Sequence, residues 1–323
     1  MCWQAGRSRQ FLLQGQHCCH CRGRWILKVL VLGATGMLGH KLVQVLSRDH
    51  AVTGTVRRDA AGFVSNPVFS SVHLLGGISA DDLGTIRSAL KDVQPDVVIN
   101  CIGIVKQLPA ARDPLQSIAI NALFPHQLAA LCKKSGIRMI HMSTDCVFSG
   151  KTGGYSEEDV SDAEDLYGRT KFLGEVGNPG CLTIRTSIIG REMESSHGLV
   201  EWFLSNEGKT IHGFKNAIFS GLTTCSLSEI IGKVLAEYPD LHGVFQVSSR
   251  PISKYDLLVM IKNVYHLDIT IEPDESVINN RSLSAKKFES ETNIKIPSWE
   301  YMIDQMHRDP TLYAAIRRTY AQQ

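Results

Sequence analysis

Short apolar runs alternate with longer amphipathic segments along the chain as far as Gly190. The runs cover residues 28–32, 51–56, 72–75, 97–101, 138–142 and 181–186. Continuous apolar runs of this length are typical of strands buried on both faces of a parallel sheet. Helical periodicity follows the first run, where Leu38, Leu42 and Leu46 share a face, and it also covers residues 115–135. The alternation predicts an α/β fold with a doubly wound parallel sheet of the Rossmann type.

The pattern becomes less regular after Gly190. The segment SLSEIIGKVLAEY, residues 226–238, reads as an amphipathic helix, and GVFQVSS, residues 243–249, could return as a strand of the sheet. We predict that residues 28–190 form the sheet domain, with sheet elements returning near 218–250. Residues 191–323 would then be mainly a smaller α/β lobe and C-terminal helices. Such a lobe would lie over the carboxyl ends of the strands, where open α/β sheets bind ligands.

The composition is that of a globular protein able to bury a full core, with 43% hydrophobic and 20% charged residues. A formal net charge of +2 gives no general case for binding nucleic acid or a membrane surface. No apolar run approaches the length of about 18 residues that a membrane span requires. The cysteines after residue 27 are scattered singly in apolar runs, which suits reduced thiols. We therefore expect a cytoplasmic protein with neither a nucleic-acid nor a membrane partner.

The first 27 residues differ from the rest of the chain. They contain arginines but no acidic residue, and the first acid of the chain is Asp49. The HCCHC run at residues 17–21 invites a zinc interpretation, but its candidate ligands are packed together and no second half-site follows. There is also no long apolar stretch of the kind a secretory signal needs. We expect residues 1–27 to be a disordered or non-native extension.

The first strand ends in GATGMLG, where Gly33, Gly36 and Gly39 are three residues apart at the start of a helix. Such a turn lets the backbone approach a pyrophosphate, and the free N–H groups of the helix N-terminus favour its charge. The succession of strand, turn and helix makes a dinucleotide site a stronger interpretation than a turn that only packs well. The loop residues assigned to the cofactor are Gly33, Thr35, Gly36, Met37, Leu38 and Gly39.

The second strand ends in TVRRD, so Arg57 and Arg58 come before Asp59. An acid at the strand end would hold the ribose 2′-OH of NAD and repel the 2′-phosphate of NADP, whereas guanidinium groups pair with that phosphate. We predict NADPH as the cofactor and NADH as the less favoured choice. The alternative is a solvated basic turn.

Polar residues follow the fifth strand, at Ser143, Thr144 and Asp145, and the segment YGRTK comes next, with Tyr167 and Lys171 on one helix face. A tyrosine can give its proton to a carbonyl oxygen that is being reduced, and a nearby ammonium stabilises the phenolate. The Thr144 hydroxyl would hold the same oxygen. Each pattern alone is also common in turns and ordinary helices. Together the three side chains make a complete set for carbonyl reduction.

The glycine loop, STDCVFSG and YGRTKFLGE, in this order, resemble the extended short-chain dehydrogenase/reductase superfamily. Within it they are most similar to dTDP-4-dehydrorhamnose reductases and related nucleotide-sugar reductases. The likeness runs from Lys28 to the end, where NNRSLSAKKFESETNIKIPSW is similar to that family's closing segment. The resemblance implies that Thr144 is the catalytic hydroxyl and Tyr167 the acid and base. Lys171 would be the partner of Tyr167 and would also reach the nicotinamide ribose.

The resemblance implies further contacts with both ligands. Those on the cofactor side are Ile78, Cys101, Ile102 and Gly103, together with Tyr167 and Lys171. On the substrate side we place Ser143 and Asp145, from their position at the strand end, Asn121, and Trp202, which falls in the expected substrate lobe and could stack on a nucleotide base. For Asn121 a polar contact within its helix is an equally good interpretation, and for Trp202 a place in the core is the simpler one.

Three positions depart from that family's pattern. The third strand is followed by GGI, with Gly77 where an aspartate is common, and Cys146 stands where a tyrosine is common. The segment FSGLTT also differs from the corresponding run of the rhamnose reductases. The first departure concerns the cofactor, and the last concerns which sugar is bound.

We therefore expect an NADPH-dependent reductase of a nucleotide-linked 4-keto-6-deoxysugar, as used in dTDP-rhamnose and polysaccharide biosynthesis. One alternative is a nucleotide-sugar epimerase or dehydratase, although a dehydratase needs more acid–base residues than STDCVF supplies. Another is a non-catalytic NADP-binding regulatory subunit resembling that of methionine adenosyltransferase. Some rhamnose reductases form Mg²⁺-bridged dimers, so a homodimer and Mg²⁺ are compatible with the resemblance, but no metal ligand can be assigned.

Overall fold

A computed structural model describes residues 26–63, 65–107 and 109–320 of the chain. The strands of this part of the chain are β1 (Lys28–Leu32), β2 (Ala51–Thr55), β3 (His73–Leu75), β4 (Val97–Asn100), β5 (Arg138–Thr144), β6 (Cys181–Thr186), β7 (Ile188–Ile189), β8 (Thr210–Phe214), β9 (Ala217–Phe219), β10 (Leu222–Thr223), β11 (Gly243–Gln246), β12 (Ile252–Ser253), β13 (Thr270–Asp274) and β14 (Asn279–Asn280). The helices are α1 (Gly39–Leu46), α2 (Leu83–Val93), α3 (Pro114–Ser117), α4 (Phe124–Lys134), α5 (Leu166–Leu173), α6 (Leu199–Leu204), α7 (Thr224–Glu237), α8 (Lys254–Tyr265), α9 (Lys286–Thr292), α10 (Trp299–His307) and α11 (Tyr313–Tyr320).

The central sheet has, among the described residues, seven strands in the order β3-β2-β1-β4-β5-β6-β11. All neighbouring pairs are parallel. The strand order reverses between β1 and β4, and in open sheets a ligand binds at the carboxyl ends of the strands next to such a reversal. The predicted doubly wound α/β fold is confirmed.

The sheet is buried on both faces, as the continuous apolar runs predict. Along β1, Val29 and Val31 contribute to one apolar cluster while Leu30 and Leu32 contribute to another. The first cluster includes side chains of α1 and α7, and the second includes side chains of α2 and α4. Alternate side chains of a strand point to opposite faces, so each face of β1 is covered by a helical layer.

Most predicted strand bounds agree with the structure to within two residues. The first and sixth are unchanged, whereas β5 runs on to Thr144, beyond the predicted end at residue 142. The extra residues pair with β6, Ser143 opposite Arg185 and Thr144 opposite Thr186. This pairing gives Thr144 a fixed backbone position at the carboxyl edge of the sheet.

The segment after residue 190 returns to the sheet, as expected, through β11, which pairs with the outer edge of β6. The remaining strands of this part form small separate sheets, β12-β9-β14 and β8-β13, while β10 pairs with β7. The exact boundary at residue 190 stays a prediction. Of the predicted extension, residues 1–25 lie outside the described residues, and so does the HCCHC run. Leu27 O already accepts the Ala51 N–H at 2.9 Å, so the β1–β2 pairing begins there.

The long helical segment predicted at residues 115–135 is divided. A wide π-helical turn, Ile118–Leu123, separates α3 from α4. Pro125 explains this turn, because it has no N–H to donate to the carbonyl of Asn121 four residues earlier, and its ring displaces that carbonyl. The Phe124 N–H bonds instead to Ala119 O, five residues back. Turns of this kind occur often at functional sites.

Helix α5 packs unusually close to two backbone segments. A Cβ at Gly168 would lie 2.1 Å from Cys146 O, and a Cβ at Gly174 would lie 1.9 Å from Asn121 O. Any side chain at these two positions would push the helix away from the end of β5 or from the π-helical turn. The two glycines therefore set the distance from α5 to the strand ends.

Within the described residues, no helix is both long enough and apolar enough to cross a bilayer.

We expect Gly174→Ala to lower the free energy of unfolding by about 1–3 kcal/mol, because the new methyl group overlaps a backbone carbonyl that cannot rotate away. Urea denaturation followed by circular dichroism measures the change. Gly62→Ala is the matched control, since a Cβ there meets nothing within 4 Å. Equal stability of the two variants would show that α5 does not need this close approach.

Candidate active site

The end of β5 holds a buried hydroxyl in a fixed orientation. Thr144 Oγ1 accepts the Cys146 N–H at 3.1 Å and donates to Asp145 Oδ1 at 3.1 Å. The residue caps the short 3₁₀ turn that follows the strand, so its side chain is fixed by the same hydrogen bond that forms the turn. Thr144 and Asp145 are each 7% exposed.

Tyr167 lies beside this hydroxyl, in the first turn of α5. Asp165 caps that helix by accepting the Gly168 N–H at 2.7 Å, which fixes where the helix begins. Burial raises the pKa of the Tyr167 phenol, and a hydrogen bond with the Thr144 side chain acts in the opposite direction. The predicted pair of Thr144 and Tyr167 is therefore brought together, with the phenol protonated at neutral pH.

Lys171 lies one turn further along α5 and is buried. Its Nζ donates to Met142 O at 2.6 Å, and it would be 4.0 Å from a Cβ placed on Gly103. Burial lowers the pKa of Lys171 to about 8, and the nearby Glu175 and Cys101 limit the shift. The ammonium is thus held between the ends of β4 and β5.

Asp145 faces the same region from the turn after β5. Burial raises the pKa of its carboxyl, while Thr144 and Arg281 favour the charged form. Arg281 Nε donates to Phe148 O at 2.9 Å, and its Nη1 lies 3.7 Å from Cys146 Sγ. Arg281 is not among the site residues predicted from the sequence. The available signal was its place in the closing segment NNRSLSAKKF, which resembles the reductases.

Ser143 and Arg185 meet beneath the site through a carboxylate that was not predicted. Ser143 Oγ donates to Glu175 Oε1 at 2.7 Å, and Arg185 donates to both oxygens of Glu175 at 2.8 Å. The side chains of Arg185 and Glu175 are each 6% exposed. Ser143 therefore positions the end of α5 in this structure. Its predicted contact with substrate stays a prediction.

The glycine loop has the close contacts that its spacing predicts. Gly33 has a positive φ of 81°, and a Cβ at Gly39 would lie 2.1 Å from Gly33 O. At Gly36, by contrast, a Cβ would meet only Gly33 O, at 3.4 Å, among the described residues other than its chain neighbours. The α1 N-terminus at Leu38 has no side-chain cap and no acid in its first turn. An open backbone and uncapped N–H groups fit the pyrophosphate of a dinucleotide.

Two buried contacts hold α1, and with it the glycine loop, against the C-terminal segment. Lys41 pairs with Asp309, and His40 Nε2 lies 3.0 Å from the Tyr313 hydroxyl. Burial lowers the pKa of His40 to about 4, so the imidazole is neutral at physiological pH. These contacts fix the helix that the loop opens into.

The two arginines after β2 are both exposed but differ in their partners. Arg57 makes no ion pair or hydrogen bond with its side chain among the residues that the structure describes. Arg58 Nη2 pairs with Glu194 Oε1 at 2.5 Å. The Arg58 carbonyl accepts the Gly77 N–H at 3.1 Å, and a Cβ at Gly76 would lie 2.5 Å from Ala60 N. The glycines after β3, where the reductases often have an aspartate, thus pack against this turn.

The residues after β4 lie between the glycine loop and Lys171. A Cβ at Gly33 would be 3.3 Å from Ile102 Cγ1, and one at Gly103 would be 3.3 Å from Asn121 Oδ1. The Asn121 amide donates to Ile104 O and accepts the Ile104 N–H, both at 2.9 Å. Asn121 therefore fixes the loop after β4, which includes Cys101, and both ends of its amide are engaged.

Two candidates lie apart from this group. Ile78 packs partly buried against the apolar cluster beneath the β3 end. Trp202 is on α6, 40% exposed, and within the described part of the chain it makes no hydrogen bond or ring contact with Thr144, Tyr167 or Lys171. The same residues include no group of three or more His, Cys, Asp or Glu side chains that could hold a metal ion. The predicted substrate role of Trp202 stays a prediction.

The family of the chain follows from its match to a family model. The family model described as the RmlD substrate binding domain matches residues 27–311. The chain belongs to this family. RmlD-like reductases fall within the extended short-chain dehydrogenase/reductase superfamily, so the predicted relationship is confirmed.

A reductase and a regulatory subunit are both among the relatives of this RmlD-family chain. A dTDP-4-dehydrorhamnose reductase of Streptomyces griseus is 32% identical over 48% of the chain and 44% of the relative. Methionine adenosyltransferase 2 subunit beta of Mus musculus is 24% identical, over 88% of the chain and 91% of the relative. The chain thus spans about half the length of the first curated reductases it matches.

A solved structure of the same fold is that of dTDP-4-dehydrorhamnose reductase from Bacillus anthracis in complex with NADP. The two structures superpose with a TM-score of 0.72, at 19% identity, over 88% of this chain and 99% of the other. At this identity the likeness establishes the fold alone.

We expect Arg185→Met to lower the free energy of unfolding by about 3–5 kcal/mol, because it leaves the Glu175 carboxylate buried without a cation. Arg185→Met combined with Glu175→Gln should recover much of that loss, since no charge is then buried alone and the amide can still accept from Ser143. Thermal and urea unfolding measure both changes. If the double variant were as unstable as the sum of the single ones, packing rather than the ion pair would explain the loss.

Proposed function

We propose that this chain is an NADPH-dependent reductase of a nucleotide-linked 4-keto-6-deoxysugar, like the dTDP-4-dehydrorhamnose reductases. The observation that carries the proposal is the close packing of α5 on the end of β5, through Gly168 against Cys146 O and Lys171 Nζ on Met142 O, which places Tyr167 and Lys171 beside Thr144. Hydroxyl, phenol and ammonium are the groups that reduction of a carbonyl requires from the protein.

Each of the three side chains has a role in proton transfer. A bound dihydronicotinamide supplies the hydride. Tyr167 gives its proton to the carbonyl oxygen of the sugar, and Thr144 orients that oxygen. Lys171 stabilises the phenolate that remains, because a cation nearby favours the charged form of tyrosine. Burial raises the pKa of Tyr167 and so disfavours the phenolate, which therefore needs the Lys171 cation when the proton leaves.

The choice of NADPH is supported by the two guanidinium groups after β2. Arg57 and Arg58 stand where an NAD-selective site carries an acid, and both are exposed toward solvent. The relative of known structure from Bacillus anthracis was solved with NADP. Gly39 allows the glycine loop to fold tightly on itself, and the space beside Gly36 leaves the backbone open to a cofactor.

Tyr167→Phe should lower NADPH-dependent turnover by about a hundredfold or more, because the proton donor is lost while the ring remains. The assay is NADPH oxidation with a panel of dTDP-, UDP- and GDP-linked keto-sugars, with identification of the reduced product. Tyr301→Phe is the matched control, since Tyr301 is an exposed tyrosine on α10. Unchanged turnover in Tyr167→Phe would refute this acid, and an isomerised sugar without NADPH oxidation would indicate an epimerase.

Reduction should slow as pH rises above about 8, where Lys171 loses its proton. Below that pH the ammonium is charged and can stabilise the phenolate; above it the stabilisation disappears while Tyr167, with its raised pKa, stays protonated. A profile of kcat/KM from about pH 7 to about pH 10 reports this ionisation in the free enzyme. Lys171→Arg should be slower and lack the decline. A flat profile for the unaltered protein would contradict the role of Lys171.

A second candidate is a non-catalytic NADP-binding subunit of a methionine adenosyltransferase. The observation that favours it is the length of the matching region, because the similarity to that subunit extends over 88% of the chain. Co-purification with a methionine adenosyltransferase catalytic subunit, combined with no turnover of any keto-sugar, would favour this candidate over the reductase.

A further inference from the structure

Glu194, from the second half of the chain, forms an ion pair with Arg58, one of the two arginines that follow β2. Glu194 Oε1 lies 2.5 Å from Arg58 Nη2, and the Arg58 guanidinium also lies 5.3 Å from the Phe63 ring centroid. The two charged side chains are separated by 136 residues in sequence. Neither is buried, since Arg58 is 57% and Glu194 31% exposed.

The segment that carries Glu194, residues 191–198, is anchored on both sides of this residue. Met193 is 1% exposed, and its Sδ lies 3.7 Å from Asn66 Nδ2, in the connection after β2. The Gly198 N–H donates to Glu192 Oε2 at 3.0 Å, and a Cβ at Gly198 would lie 2.6 Å from Met37 Cε in the glycine loop. The backbone on either side of Glu194 is therefore fixed, so the carboxylate is presented to the β2 end.

We propose that Glu194 competes with the 2′-phosphate of the cofactor for Arg58 and thereby sets the preference between NADPH and NADH. The inference rests on the proposed function, because it needs Arg58 to face the adenosine ribose. A carboxylate and a phosphate present similar oxygen geometry to a guanidinium. NADPH must displace Glu194 from Arg58 before its phosphate can pair fully, whereas NADH has no group that needs this arginine.

The competition is limited by solvent. Exposed ion pairs contribute little free energy, so Glu194 weakens NADPH binding without preventing it. Arg57 has no such competitor among the described residues and still attracts the phosphate. The expected result is an enzyme that prefers NADPH but retains use of NADH.

Calorimetric titration of the full chain with NADP⁺, NAD⁺, 2′,5′-ADP and 5′-AMP tests the proposal. Glu194→Gln should bind NADP⁺ and 2′,5′-ADP about fivefold more tightly and leave NAD⁺ and 5′-AMP unchanged. Glu300→Gln is the matched control. Glu300, on α10, pairs with Arg250 and both side chains are exposed, so the substitution removes the carboxylate of a similar ion pair. Its affinities should all equal those of the unaltered protein.

A double-variant cycle separates competition from a general effect of charge. In the Arg58→Gln background, Glu194→Gln should no longer change the ratio of NADP⁺ to NAD⁺ affinity. An equal gain for all four ligands, or the same gain without Arg58, would overturn the proposed competition while leaving the reductase proposal intact. If the unaltered protein bound neither NADP⁺ nor NAD⁺, both the reductase proposal and this inference would be wrong.

Discussion

The close approach of α5 to two backbone carbonyls is the constraint on which the site depends. Gly168 lies against Cys146 O and Gly174 against Asn121 O, at distances that leave no room for a Cβ. Because the helix is held at both ends, Tyr167 is placed beside Thr144 and Lys171 beside Met142 O. The π-helical turn at Asn121, forced by Pro125, provides the second of these surfaces. The geometry of three side chains thus follows from residues that have no reacting group.

The buried charges of Arg185 and Glu175 beneath the site neutralise each other and are shielded from solvent. The Arg185–Glu175 pair is almost fully buried, and the Glu175 carboxylate also limits the lowering of the Lys171 pKa. One carboxylate therefore joins β5, β6 and α5 and favours the charged form of the lysine on which the proposed chemistry depends. A buried pair of this kind adds little net stability, and its value lies in fixing the orientation of the elements that it joins.

The cofactor end of the cleft is organised differently. There both arginines after β2 are exposed, and Arg58 pairs with Glu194, with which we propose that the 2′-phosphate competes. The RmlD family relationship covers both ends, since its model matches residues 27–311. Cys146, which stands where the reductases often have a tyrosine, lies close to Arg281, so a thiol and a guanidinium lie side by side after the end of β5.

The doubly wound sheet and the glycine loop could be predicted from the amino-acid sequence, as could the proposed group of Thr144, Tyr167 and Lys171, because apolar runs, glycine spacing and helical spacing are local properties of the chain. The sequence also indicated the return of residues 243–249 to the sheet, since an apolar run remains visible wherever it lies. Only the tertiary structure showed that Glu175 joins Ser143 to Arg185, that Arg281 lies beside Cys146, and that Glu194 pairs with Arg58. These side chains are brought together from distant parts of the chain by packing, and no periodicity records such a contact. The π-helical turn is an intermediate case. Pro125 can be read from the sequence, but only the folded helix shows that its missing N–H widens the turn at Asn121.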